Sequence, residues 1–177
     1  MSDTQPAAGS AFLHEAAFEA QFIEHYPRVY ALLYRLVGDR AAAEDLALEA
    51  FWRLWQHAPS AVENLGGWLY RVAVRLGYNA LRAEQRRAQY EARAGRDLLE
   101  QNPAPNPADE VEQAEERRRV RAVLAQMPER EAQLLVLRSA GHTYREIARA
   151  LHLAPNSVGT LLTRAEEIFE RLYRKGE

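Results

Sequence analysis

Apolar residues recur along this chain three and four positions apart, almost from end to end, and nowhere in the alternation of a half-buried strand. The pattern predicts an all-α protein. A first helix is expected from about His14 to Tyr26, with Phe18, Phe22 and Ile23 on its apolar face. Pro27 then suits the opening turn of a second helix, with Val29, Leu32, Leu33 and Leu36 inward. Gly38-Asp39 breaks that helix, and Asp39 is a candidate N-cap for a third, Arg40 to about His57, which buries Ala43, Leu46, Ala47, Ala50 and Leu54. Ala58-Pro-Ser60 ends it, and Gly66-Gly67 precedes a long helix from Trp68 to about Arg93 with Leu69, Val72, Ala73, Leu76 and Leu81 as its core face.

The pattern then stops. Asn102-Pro-Ala-Pro-Asn-Pro107 cannot continue a helix, and Asp109, Glu110 and Glu112 follow it. Residues 95–112 are expected to form an extended, mobile linker between two small helical domains, 12–94 and 113–177, after a frayed tail at 1–11. The second domain opens with a strongly charged helix, Gln113 to Gln126, broken at Met127-Pro128. A helix from Glu129 to Ser139 carries Leu134, Leu135 and Leu137, and Gly141 precedes a last helical pair.

That pair is the most specific signal in the chain. Ile147, Ala148 and Leu151 share one face of the first helix, and Val158, Leu161 and Leu162 share one face of the second. Small Ala148 lets the axes cross closely, and Pro155 is pre-organised for a first helical turn. This is a helix-turn-helix pattern, whose second helix is shaped for a DNA major groove.

Charge sharpens the picture. The formal net charge is only -2, but it is unevenly placed. Residues 11–65 hold four arginines against eight carboxylates, and residues 66–95 hold six arginines against two. Residues 96–112 are acidic again, and residues 113–177 are basic. Phosphate contacts depend on local potential, so the distribution outweighs the sum. There is no cysteine, which removes disulfides, thiolate nucleophiles and cysteine-based zinc sites and suits the cytoplasm. The five histidines lack metal-ligand spacing, no carboxylates form an acid–base constellation, and no apolar run reaches the length of a membrane span. No metal, cofactor, catalysis or membrane insertion is therefore expected, and the polar N-terminus does not read as a secretion signal.

Two surfaces stand out beside the helix-turn-helix. Asp45, Glu49 and Trp52 lie at i, i+4 and i+7 on the outer side of the third helix, where carboxylates beside an exposed aromatic describe either a solvated face or an interface hot spot. The long helix carries Tyr70, Arg71, Arg75, Tyr78, Asn79, Arg82, Arg86 and Arg87. Arginines pair with phosphate and tyrosines stack on exposed bases, so this mixture suits a DNA groove; the bland alternative is an amphipathic helix whose aromatics face inward.

These pieces occur in a familiar order. The runs Tyr26-Pro-Arg-Val-Tyr30, Gly38-Asp39, Ala43-Glu-Asp-Leu-Ala-Leu-Glu-Ala-Phe-Trp-Arg-Leu-Trp55 and Gly67-Trp-Leu-Tyr-Arg-Val-Ala73 resemble region 2 of bacterial sigma factors of the extracytoplasmic-function (ECF) group. Leu124-Ala-Gln-Met-Pro128, Tyr144-Arg-Glu-Ile-Ala148 and Ser157-Val158 are similar to region 4. The resemblance spans about residues 12–172 and implies a subunit that directs core RNA polymerase to promoter DNA without catalysing a reaction. It implies polymerase contacts for Asp45, Glu49 and Trp52, and minus-ten reading and opening by Asn64 through Arg87. It also implies major-groove contact at the minus-thirty-five element, for which this chain offers Asn156, Ser157, Thr160, Thr163 and Arg164. An anti-sigma protein is admitted as a further partner.

The chain departs from the family pattern at several positions. Arg75 stands where an asparagine is usual, Asn79 where an aspartate is usual, and Leu48 replaces a glutamine beside Glu49. His152 replaces the turn glycine, and in the recognition helix Gly159, Leu161, Glu166 and Glu167 occupy positions that are commonly basic. Two other functions fit the same residues: a sigma-like regulator acting by protein contact with weakened promoter reading, and a helix-turn-helix regulator independent of polymerase.

Overall fold

A computed structural model describes residues 8–57, 65–93 and 108–175. The expected linker core, the loop carrying Asn64 and the extreme N-terminus lie outside the described residues. The described chain forms α1 (Ala8–Val37), α2 (Arg40–His57), α3 (Leu65–Arg93), α4 (Ala108–Gln126), α5 (Glu129–Ser139), α6 (Tyr144–Leu151), a 3-10 turn (Pro155–Ser157) and α7 (Val158–Lys175).

The first two expected helices are one. α1 runs unbroken through Pro27, and it begins at Ala8 rather than near His14. Proline removes one helical hydrogen bond, yet the apolar stripe Phe18, Phe22, Tyr26, Val29, Leu33, Leu36 keeps its three-and-four spacing across it. Burial of a continuous stripe outweighs one lost bond. Ile23 was assigned to that stripe but points outward, 68% exposed, because the stripe turns away from it after Phe22.

Asp39 caps α2 as its position suggested, Oδ1 accepting from the Ala42 N–H at 2.8 Å. α1, α2 and α3 pack as a three-helix unit around Val29, Leu33, Leu36, Ala47, Phe51, Leu54, Leu69 and Ala73.

In the second half, α4 starts at Ala108, so Asp109, Glu110 and Glu112 belong to a helix rather than to the linker. Acidic residues suit a helical first turn, which is why the charge run helps to start the helix. Pro128 precedes α5, as expected of the Met127-Pro128 break. Thr143 caps α6 in a full capping box: its Oγ1 accepts from the Glu146 N–H, while the Thr143 N–H donates to the Glu146 carboxylate at 2.7 Å. The box holds the Glu146 carboxyl below its usual range. Buried Ile147, Ala148, Val158 and Leu162 join the helix pair, and the chain turns between them through His152 in the left-handed region, φ 53°. A left-handed non-glycine residue costs about 1–2 kcal/mol. His152→Gly should therefore raise stability by about 1 kcal/mol, read as a higher urea midpoint at unchanged slope.

The two halves meet on α3, a contact the sequence reading did not anticipate. One side of α3 packs on α1 and α2, and another packs on α4, α5 and α6, so the two cores merge into a single cluster.

Candidate functional site

α3 sorts its side chains into three strips. At about 100° per residue, Arg71, Arg75, Asn79, Arg82 and Arg86 fall within an arc of about 80°. All but half-buried Arg71 are exposed, and no described carboxylate lies within ion-pair distance of any of the arginines in this strip. Arg87 is exposed but off this strip. The result is a line of uncompensated positive charge along one helix.

Tyr70 and Tyr78 behave differently from the expectation of exposed stacking platforms. They are 5% and 1% exposed, covered by the C-terminal half. Tyr78 Oη donates to the Met127 carbonyl at 2.6 Å, and the Tyr70 ring meets the His142 ring edge-on at 4.2 Å between centroids. Burial raises the pKa of both phenols and lowers that of His142. The signal for this was present in the chain: Val74 and Leu81 share the strip with Tyr70 and Tyr78, which makes it a packing face.

On α2, Asp45 and Glu49 line one edge of the outer face, and Glu49 Oε1 accepts from Arg53 Nε at 2.8 Å. Trp52, 54% exposed, separates this acidic edge from an apolar one. There Leu48 and Trp55 join Phe18, Phe22 and Phe51 around a shallow groove of about 500 Å³. The sequence reading missed Leu48 and Trp55, although Leu48, Trp52 and Trp55 repeat the i, i+4, i+7 spacing of the acidic set.

Asn156, Thr160, Thr163 and Arg164 are exposed at the start of α7 and the turn before it. Ser157 is half-buried, its hydroxyl donating to the Ala154 carbonyl at 2.8 Å, so it acts first as part of the turn. Thr163 Oγ1 donates to the Gly159 carbonyl at 3.3 Å. Arg145 and Arg149, exposed on the preceding helix α6, are further cations that the sequence reading did not single out. Among the described residues, no three potential metal ligands come together, and no helix is long and apolar enough to cross a membrane.

Comparison with known proteins matches the same two halves. Residues 22–87 match the family model of Sigma-70 region 2, and residues 117–167 that of Sigma-70, region 4. The chain is 32% identical over 144 residues to the ECF RNA polymerase sigma factor SigK of Mycobacterium tuberculosis, covering 78% of this chain and 76% of that protein. It is 30% identical over 161 residues to SigL of the same species, covering 88% of each. A probable RNA polymerase sigma factor, RfaY of Xanthomonas campestris, is 30% identical over 144 residues; the match covers 77% of this chain but only 35% of that longer protein. Among solved structures, CnrH in complex with the cytosolic domain of CnrY gives a TM-score of 0.58 at 17% identity, covering 92% of this chain and 91% of that one. RpoE in complex with the anti-sigma factor NepR, from Bartonella quintana, gives 0.54 at 18%, covering 89% and 97%. At those identities the two structures speak for the fold alone. With both regions in order and SigL matched over nearly its whole length, the chain belongs to the ECF group of RNA polymerase sigma factors, non-enzymatic subunits that direct transcription initiation with core RNA polymerase.

Proposed function

We propose that this chain docks on core polymerase through Asp45, Glu49 and Trp52 of α2, reads and opens a minus-ten element with Asn64 and α3, and seats the start of α7 at a minus-thirty-five element. On α3 the reading residues are Tyr70, Arg71, Arg75, Tyr78, Asn79, Arg82, Arg86 and Arg87; on the α7 side they are Asn156, Ser157, Thr160, Thr163 and Arg164. The observation that carries this assignment is the arginine strip of α3, which no described carboxylate neutralises. Its place of action is the bacterial cytoplasm, and an anti-sigma protein is a further partner, a reading supported by the structural neighbour RpoE in complex with the anti-sigma factor NepR.

The test is transcription in vitro with core polymerase on a genomic library, followed by mapping of start sites. Discrete starts preceded by two shared sequence blocks are expected; initiation at no promoter would overturn the assignment. Glu49→Arg should weaken binding to core polymerase about tenfold or more, because like charge at a complementary interface is penalised, while the fold survives. The Glu49–Arg53 pair it breaks is solvated and contributes little. Unchanged polymerase affinity would place docking on another face.

A second function draws on α7. Glu166 and Glu167 are exposed where the recognition helix would follow phosphate, and they oppose such contact. Tight polymerase binding without open complexes would select a regulator acting by protein contact.

A further inference from the structure

The first turn of α7 carries open space where a charge is common. Gly159 stands at a position that is usually basic, and among the described residues a Cβ there would meet only the Tyr144 ring, at 3.6 Å. We propose that this opening is a thymine-reading notch. Gly159 floors it, the Tyr144 ring and the Thr163 methyl wall it, and it takes the C5-methyl of one thymine in the major groove. The proposal rests on the seating of α7 at a minus-thirty-five element and names the base that is read there.

Thr163 lies one turn beyond Gly159 and about 40° further round the axis, so the two share one strip of the helix. It is exposed, yet its hydroxyl donates back to the Gly159 carbonyl at 3.3 Å. A helical threonine favours such a back-bond, and it leaves the methyl as the group turned to the surface. Tyr144, the first residue of α6, is 46% exposed and lies against this strip. The Arg138 guanidinium sits over its ring, 5.4 Å from the centroid, and Arg138 Nη1 donates to the His142 carbonyl at 3.3 Å. The ring is therefore backed by a side chain that is itself tethered. Leu161, at the other commonly basic position, is half-buried and restores no cation.

The chemistry of the notch selects its occupant. A ring, a methyl and a bare Cα form a small apolar surface, and thymine alone among the four bases presents a methyl group in the major groove. Guanine shows two acceptors there and needs donors, but the Thr163 hydroxyl is already committed to the Gly159 carbonyl. Asn156, Thr160 and Arg164 remain exposed around the notch to fix register on phosphates or neighbouring base edges. Glu166 and Glu167, exposed further along the helix, oppose phosphate contact. With that electrostatic contribution reduced, base-edge contact carries a larger share of the affinity.

The test removes one methyl at a time, from the DNA and from the protein. On a mapped promoter, holoenzyme affinity is measured with each thymine of the minus-thirty-five block replaced in turn by deoxyuridine, which lacks only the C5-methyl. One position should lose about fourfold, as expected for uncovering one methyl-sized group. Thr163→Ser keeps the hydroxyl and removes the methyl, and should bind thymine and deoxyuridine promoters equally. Thr163→Val keeps a methyl and removes the hydroxyl, and should preserve the difference. Gly159→Ala fills the floor while favouring the helix, and should abolish it. A block in which deoxyuridine has no effect at any position would overturn the notch. So would an effect that persists undiminished in Thr163→Ser or in Gly159→Ala. Scrambling the whole block without loss of binding would instead remove the minus-thirty-five assignment itself.

Discussion

Replacing Arg71, Arg75, Arg82 and Arg86 together with alanine should weaken promoter binding by the holoenzyme by two to three orders of magnitude near 0.15 M salt, and should reduce the slope of log affinity against log salt by about three. Both figures follow from counterion release, about 0.9 ions per phosphate contact on duplex and about 0.7 on single strands. The premise is that each guanidinium is available. No described carboxylate pairs with any of the four, and three of them are exposed. Alanine is the best helix former, so α3 should lose charge without losing helix. Polymerase contributes its own salt dependence, but that is common to both proteins and cancels in the difference. A slope change below about one unit would mean that the strip faces solvent in the open complex as it does here.

That strip was legible because it obeys a local rule: like charges at helical spacing with no acidic residue among them. The caps were legible for the same reason. Asp39 satisfies a helix N-terminus within three residues, and Met127-Pro128 interrupts the chain within two; the Thr143–Glu146 box obeys the same local rule, although the sequence reading did not single it out. Pro27 misled because its local effect was overruled by a stripe extending well beyond it on both sides. Ile23 misled in the opposite sense, since an apolar residue next to a stripe is not necessarily on it.

The tyrosines of α3 show where sequence reasoning stops. A ring between arginines can stack on a base or pack against a neighbour, and the residue type allows both. What decides is whether another element arrives, and α6 lies more than sixty positions away in the chain. The neighbours Val74 and Leu81 carried a hint, since an arc with two tyrosines and two aliphatics is apolar enough to be covered. The groove around Trp52 shows the converse case. The described residues leave its apolar edge uncovered, which is consistent with a face that meets another protein.

The scaffold beneath both surfaces depends on one close approach, and Gly77→Val should destabilise the fold by about 3 kcal/mol or more. A Cβ at Gly77 would stand 2.7 Å from Leu36 Cδ1 and 2.9 Å from Leu33 Cδ2. Both leucines are buried in the seam between α1 and α3, so neither can swing aside without opening the core. Alanine at this position gains about 1 kcal/mol of helix propensity and loses it again to overlap, whereas valine adds two more methyl groups and a restricted χ1. Gly159 provides the control. It too lies in a helix, but a Cβ there meets only the Tyr144 ring at an ordinary 3.6 Å. Gly159→Ala should therefore stabilise by up to about 1 kcal/mol, so the two glycines should move the urea midpoint in opposite directions. The loss at Gly77 is a large share of a typical total of about 5–15 kcal/mol. It should be accompanied by loss of polymerase binding near the new transition, because α2 and α3 are held in register by α1. A Gly77→Val chain as stable as the parent would mean that α1 and α3 do not approach this closely.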